Sequence, residues 1–286
     1  MKSLKYFFQF IVVLFFFAIF KILGLKFSLI FSSKLIALVG PFFRSKNTIK
    51  TNIKKAIPDL DPEEIKKIIN DMWKNYGKIL SEYIFIKKFR KHNLNDNFIV
   101  VGQEILENIK KNNERVIFVS GHFNNFELMA MHIERSGINL AAIYRPLNNK
   151  FLNFIMEKIR KKYICKNQIK KGISGTKQLL SFFKKNVSIA LMIDQRVSEG
   201  IKSNFFQHKA YTTTIPAQFV KKFKCRVVPI YIERTKDLKF KLTIYKPHEY
   251  SSEDTIETIT LQLNGLIEKM ILKNPSQWIW SHNRWK

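Results

Sequence analysis

Residues 116–135 read VIFVSGHFNNFELMAMHIER, and this stretch decides the fold class. An apolar, β-prone run from Val116 to Val119 meets Ser120-Gly121-His122 and then passes into a segment with helical spacing from Phe126 to Arg135. A strand that runs through a Gly-His turn into a helix is the repeating unit of a sheet covered by helices. It places His122 at the carboxyl end of a strand, where ligands gather in such folds.

The same alternation extends in both directions. The pattern predicts strands near residues 98–101, 115–119, 140–143, 187–193, 227–232 and 240–244. Helices are expected over 104–111, 126–135, 150–161, 175–185, 216–222 and 253–272. Upstream, Asp61 can cap a helix, Pro62 suits its first turn, and Glu63 and Glu64 complement its dipole. Ile65, Ile68, Ile69, Met72, Trp73, Tyr76, Ile79, Leu80 and Tyr83 then recur on one face, which reads as core. The expected class is α/β: a mixed sheet covered by helices, preceded by an N-terminal membrane-anchor helix.

That anchor is read from MKSLKYFFQFIVVLFFFAIFKILGLKF, which holds no charge from Tyr6 to Phe20. About 20 apolar residues cross a bilayer, and Lys5, Lys21 and Lys26 can snorkel to its edges. The run is followed by lysine and bulky residues rather than a small-x-small site, so retention is expected over cleavage. Lys21, Lys26, Lys34, Arg44, Lys46, Lys50, Lys54 and Lys55 crowd the C-terminal side, which predicts one span with the rest of the chain in the cytoplasm. Residues 27–43 are expected to form an interfacial helix, giving an anchor region 1–43 and an α/β domain 44–286.

With 50 Lys+Arg against 22 Asp+Glu, the formal net charge is +28, which points to anionic partners. Hydrophobic residues make up 46% of the chain, enough for a core and against disorder. Between Arg145 and Arg226, 19 basic residues face three acids, so the charge is concentrated. Lysine outnumbers arginine 40 to 10, which does not suit base readout by bidentate arginine. A membrane-tethered nucleic-acid-binding surface is the competing reading, and it accounts for the charge alone. Cys165 and Cys225 are too few for a disulfide scaffold. His92, His132, His208, His248 and His282 show no metal-ligand spacing, and neither metal nor cofactor is expected.

His122 and Glu127 are separated by a bend from strand to helix, which would let the carboxylate approach the imidazole. The carboxylate would hold one ring N–H and leave the other nitrogen to take a proton from an attacking hydroxyl. Arg145, with backbone N–H groups behind His122, is the candidate for stabilising an oxyanion. Asp194 reads as a structural carboxylate or a partner of Arg196. The alternating Trp278, Trp280 and Trp285 read as packing against the sheet.

Residues 121–127, GHFNNFE, resemble the GHFGNWE-type H-x4-E signature of the lipid A biosynthesis acyltransferases, the late lauroyl and myristoyl acyltransferases of Gram-negative bacteria. Further segments agree in order. Tyr144-Arg145-Pro146-Leu147-Asn148-Asn149 is similar to the family's YRP-x-x-N, and Asp194-Gln195 to its DQ pair. Phe205-Phe206 with Ala210-Tyr211-Thr212 resembles its FFG-x-x-A-x-T stretch, and residues 275–286 its PEQWLWxHRRWK ending. Asn124 stands in place of the usual Gly, Phe126 of the usual Trp, and Gln207 of the Gly in FFG. The resemblance implies a fold like that of the glycerolipid acyltransferases. It also implies transfer of a fatty acyl group from acyl carrier protein to a hydroxyl of a lipid A precursor at the bacterial inner membrane. His122 would be the general base and Glu127 its support. Asn124, Asn125, Asp194 and Gln195 are expected near substrate. Lys161, Lys162, Lys170 and Lys171 are expected to meet lipid phosphates, an anionic leaflet or the acidic carrier. A glycerolipid or lysophospholipid acyltransferase is the alternative within the enzyme class.

Overall fold

The structure is a computed structural model that describes residues 2–91 and 98–286, so His92 lies outside the described residues. Its centre is a seven-stranded sheet in the order β1-β9-β8-β2-β5-β3-β4. These strands are β1 (Phe98–Val101), β2 (Ile117–Ser120), β3 (Leu140–Tyr144), β4 (Asn167–Lys170), β5 (Ser188–Met192), β8 (Val227–Arg234) and β9 (Phe240–Ile244). The sheet is mixed because β8 and β9 pair antiparallel, whereas β2 runs parallel to both β8 and β5. Every residue of β2 is buried, which explains its unbroken apolar run: a central strand covered on both faces has no polar side to show.

The helices are α1 (Lys2–Val39), α2 (Lys46–Ala56), α3 (Pro62–Lys91), α4 (Gln103–Lys111), α5 (Glu127–Arg135), α6 (Lys150–Ile159), α7 (Ile173–Lys184), α8 (Ile215–Phe223) and α9 (Ile256–Lys273). At the start of α3, Glu64 N–H donates to Asp61 and Asp61 N–H donates to Glu64, a reciprocal cap. The helix runs on through the basic residues 87–91 and ends at Lys91. Helix α6 stops at Ile159, two residues earlier than expected, and Arg160–Ile164 form a single π turn.

Four elements had no expectation in the sequence. Helix α2 is lysine-rich and buries only Ile49, Asn52 and Ile53. The edge strand β4 buries only Ile169. Strands β6 (Ile201–Phe205) and β7 (His208–Thr212) form a separate antiparallel hairpin. Its two turn residues, Phe206 and Gln207, both have positive φ, 51° and 61°. That backbone is the tight hairpin turn normally announced by Asn-Gly, and Phe-Gln gives no such signal.

Helix α1 is the one described helix long and apolar enough to cross a membrane, and it is not straight. At Gly24 the backbone takes φ 71° and ψ 173°, a conformation glycine adopts without a Cβ penalty. The rings of Phe20 and Phe31 lie 6.3 Å apart, whereas eleven residues of continuous helix would separate them by about 16 Å. The chain therefore folds back at Gly24, earlier than the expected boundary at residue 27. The second half packs on α3, with Ser32 Oγ donating to Ser81 Oγ at 3.0 Å. Gly77 permits this approach, because a Cβ there would meet the Ser32 carbonyl at 2.2 Å. The first half returns to the domain: Asn149 Nδ2 donates to the Tyr6 carbonyl at 2.8 Å, and the Phe151 ring is met edge-on by Phe7 and at a tilt by Phe10. Several of its other apolar side chains, including Phe8, Ile11, Val12 and Phe15, are exposed, while Phe20 is buried.

Candidate active site

Strands β2 and β5 are parallel neighbours in register, with Ser120 opposite Met192. Two residues further on, the same register brings His122 beside Asp194. Ile193 N–H donates to the Ser120 carbonyl at 2.9 Å and holds the two chain ends together. Gly121 makes room, since a Cβ there would lie 2.9 Å from the Phe123 ring and 3.2 Å from Asp194 Cβ. His122 Nδ1 lies 2.8 Å from Asp194 Oδ1, and the His122 backbone N–H donates to Oδ2 at 2.8 Å. Trp278 Nε1–H donates to the same Oδ2 at 2.8 Å. Asp194 is fully buried while the His122 side chain is 21% exposed.

Burial alone would raise the pKa of Asp194, but the charge of His122 and the hydrogen bonds from His122 and Trp278 outweigh it and hold the group at about 2. The carboxylate is therefore ionised and can only accept. Nδ1 carries the proton toward it, and Nε2 is left with its lone pair as a base.

Glu127 is not the partner of His122 in this structure. It opens α5 on the far side of the bend, and its Oε1 accepts from Arg160 Nε at 2.8 Å, from Arg160 Nη2 and from the Tyr83 hydroxyl. The bend turns His122 toward β5 and Glu127 toward α3 and the π turn after α6. The residue between them that sets this divergence is Asn124, at φ 43°. Burial disfavours the charge on Arg160, but Glu127 and Tyr83 outweigh it and raise the arginine's pKa. Arg160 Nη1 is buried and without a hydrogen-bond partner among the described residues. The Phe126 ring packs edge-on against His122 at 4.7 Å.

Asn124 and Asn125, expected near substrate, are buried, 1% and 0% exposed. Asn124 Nδ2 donates to Gln277 Oε1 at 2.7 Å, and its Oδ1 accepts from Arg234 Nη2 at 3.0 Å. Asn125 Nδ2 donates to Glu82 Oε2 at 2.8 Å, and Arg234 Nη2 pairs with Glu82 Oε1 at 2.6 Å. The two asparagines thus clamp the turn behind His122 onto α3, β8 and the C-terminal segment. Asp194 pairs with His122 and not with Arg196, whose backbone N–H donates to His282 Nε2 at 3.1 Å. Gln195 follows, half-buried. Arg145 is exposed after β3, whereas Arg160 is buried in its pair with Glu127. Lys161, Lys162, Lys170 and Lys171 are exposed, and Lys170 pairs with Glu157 at 3.3 Å. Among the described residues no cluster of three or more His, Cys, Asp or Glu side chains is placed to hold a metal ion.

Residues 1–286 match the family described as bacterial lipid A biosynthesis acyltransferase. The chain belongs to that family. It is 23% identical over 255 residues to the lipid A biosynthesis palmitoleoyltransferase of Escherichia coli K12, covering 87% of this chain and 82% of that one. The lauroyltransferase of the same strain is 23% identical over 85% and 79% of the two chains, and the myristoyltransferase 21% over 82% and 73%. Among solved structures, the 1-acyl-sn-glycerophosphate acyltransferase PlsC of Thermotoga maritima aligns over 96% of this chain and 99% of its own. The two are 16% identical, with a TM-score of 0.41.

This member of the lipid A acyltransferase family is thus an acyltransferase of lipid A biosynthesis, and several residues of its site gave no signal in the sequence. Arg160 stands inside an Arg-Lys-Lys run that reads as a solvated charge cluster. Tyr83 sits on a stripe that reads as core, and Glu82 beside it drew no reading of its own. Trp278 reads as packing, yet its indole N–H reaches the carboxylate that holds the base.

Two further histidines of the acyltransferase are pushed down to about 4 by burial: His132, against Gln103 at 2.8 Å, and His282. The folded protein keeps both neutral between pH 4 and 6.5, while an unfolded chain takes up protons below about 6.5. Their contribution is fully present above pH 6.5 and is lost as pH falls toward 4. The melting temperature is expected to drop more steeply across that window in the wild type than in His132→Gln. Parallel profiles would refute the assignment for His132.

Proposed function

We propose that this chain transfers a fatty acyl group from the thioester of acyl carrier protein to a hydroxyl of a lipid A precursor, at the cytoplasmic face of the inner membrane. The observation that carries the reading is the His122–Asp194 pair beyond the carboxyl ends of two parallel strands, with Nε2 free to act as a base. Family membership supplies the reaction class, and the lauroyl-, myristoyl- and palmitoleoyltransferases among its relatives agree with a fatty acyl donor.

In this mechanism Nε2 of His122 removes the proton of the acceptor hydroxyl as its oxygen attacks the thioester carbonyl. Asp194 holds the ring in the required tautomer and balances the imidazolium that forms. The tetrahedral oxyanion is met by hydrogen-bond donors, for which Arg145 after β3 and backbone N–H groups behind His122 are the candidates. Collapse breaks the C–S bond, and the imidazolium returns its proton to the departing thiolate. The pair formed by Glu127 and Arg160 fixes the first turn of α5 against the π turn. Helix α1 keeps the site at the bilayer, and the lysine-rich flank after it supports the cytoplasmic orientation. Incubating the purified full-length protein with a carrier thioester and either a hydroxyacylated glucosamine disaccharide phosphate or a lysophospholipid tests the reading. Acyl ester is expected on the first acceptor, and transfer only to the second would overturn it.

A further inference from the structure

The chain carries two basic surfaces, and they differ in what accompanies the charge. Around α6 and the π turn, Lys158, Lys161 and Lys162 are interleaved with the exposed apolar Leu147, Phe151, Phe154 and Ile173. Phe151 itself packs against the rings of Phe7 and Phe10 of α1. Lysines among apolar side chains, continuous with the anchor, suit a lipid surface.

The second surface is built from α2 and the β6–β7 hairpin. Residues 44–58 contain Arg44, Lys46, Lys50, Lys54 and Lys55 and no acid. Lys46, Lys50 and Lys54 recur every four residues and so share one face of α2. Lys50, Thr51, Lys54 and Lys55 line an open groove of ≈ 470 Å³ with His208 across it. Among the described residues none of these lysines has a carboxylate within salt-bridge distance, and no large apolar side chain is exposed between Arg44 and Lys91 or on the hairpin. The groove is also rigidly tied to the site. On the opposite face of α2, Asn52 Nδ2 donates to the carbonyls of Trp280 and His282 at 2.9 and 2.8 Å. That is the segment whose Trp278 holds Asp194.

The exposed Phe42 and Phe43 end the anchor region ahead of the row, but between the lysines of α2 themselves no exposed large apolar side chain stands ready to insert into a bilayer. It matches the carboxylates of a water-soluble acidic partner, for which charge complementarity sets encounter rate and register. We infer that the groove between α2 and the β6–β7 hairpin docks an acidic helix of the protein that delivers the acyl thioester. The inference rests on the carrier-donor reading above and names where on this chain the carrier binds.

The test uses the full-length enzyme in detergent micelles and the triple variant Lys50→Glu/Lys54→Glu/Lys55→Glu, with Lys50→Gln/Lys54→Gln/Lys55→Gln as a milder second variant. Reversal is expected to raise KM for the carrier-bound donor on the order of tenfold or more and to leave kcat nearly unchanged. It should also remove most of the dependence of that KM on salt. The neutral variant should fall between. With an acyl-pantetheine thioester, which lacks the acidic protein, all three enzymes should react alike. An unchanged KM for the carrier-bound donor would overturn the inference. So would an equal rise with acyl-pantetheine, a shift confined to the glycolipid acceptor, or loss of binding to phosphatidylglycerol vesicles in place of the donor effect. A wild-type enzyme that takes no acyl group from the carrier thioester, yet acylates the glycolipid from another thioester, would overturn the donor reading together with this inference. The other outcomes leave that reading standing.

Discussion

Asp194→Asn is expected to lower kcat by about three to four orders of magnitude while KM for donor and acceptor changes little. An amide at this position can offer an N–H to Nδ1, which favours the ring tautomer with its proton on Nε2 and removes the base. His122→Ala should cost at least about a hundredfold. The double variant should be no worse than the more damaging single one, because the two side chains act as one unit. Asp194 stays ionised down to about pH 2, so no loss of activity between pH 4 and 7 can come from its titration. Glu127→Gln provides the contrast: it weakens the pair with Arg160 and should lower the melting temperature, whereas Asp194→Asn acts on turnover. Near-native turnover in Asp194→Asn, together with a dead but fully stable Glu127→Gln, would return Glu127 to the role of histidine partner.

The second large effect is on stability. Glu82 and Arg234 are buried together, with side chains 1% and 4% exposed. Burial raises the pKa of Glu82, opposed by the charge of Arg234 and by hydrogen bonds from Asn125 and Arg234. Glu82→Ala leaves the guanidinium buried without its counter-charge, which is expected to cost about 3–5 kcal/mol. For a chain of this size that lowers the melting temperature by roughly 10 °C. Replacing both residues by methionine should cost less than Glu82→Ala alone, since no uncompensated charge remains. Thermal unfolding of the three proteins in one detergent checks this, and a loss below about 1 kcal/mol in Glu82→Ala would show the pair to be dispensable. The turn holding His122 leans on the pair through Asn124 and Asn125, so turnover should fall with stability.

Much of the fold was open to reading in the linear chain, for reasons that lie in single elements. Strands β2 and β5 are buried, which forces apolar runs, and α3 carries its own cap and core stripe. Elements with little buried surface gave weaker signals. The hairpin turn at Phe206-Gln207 and the lysine-rich α2 are held by contacts with distant segments, namely α9 and the C-terminal run.

The division is sharpest at the active site. The sequence by itself determined that a histidine would stand at the carboxyl end of a buried strand, just ahead of a helix that begins with a carboxylate, because burial and helix-start preferences are local. Which carboxylate meets that histidine is not local. Glu127 is five residues from His122 and faces Arg160, whereas Asp194 is 72 residues away and lies 2.8 Å from it. Parallel pairing of β2 with β5 aligns the two strand ends abreast, while the left-handed turn at Asn124 swings Glu127 away. Only the tertiary structure could decide between them, because strand register and the direction of a bend are settled by packing between segments that are remote in the chain.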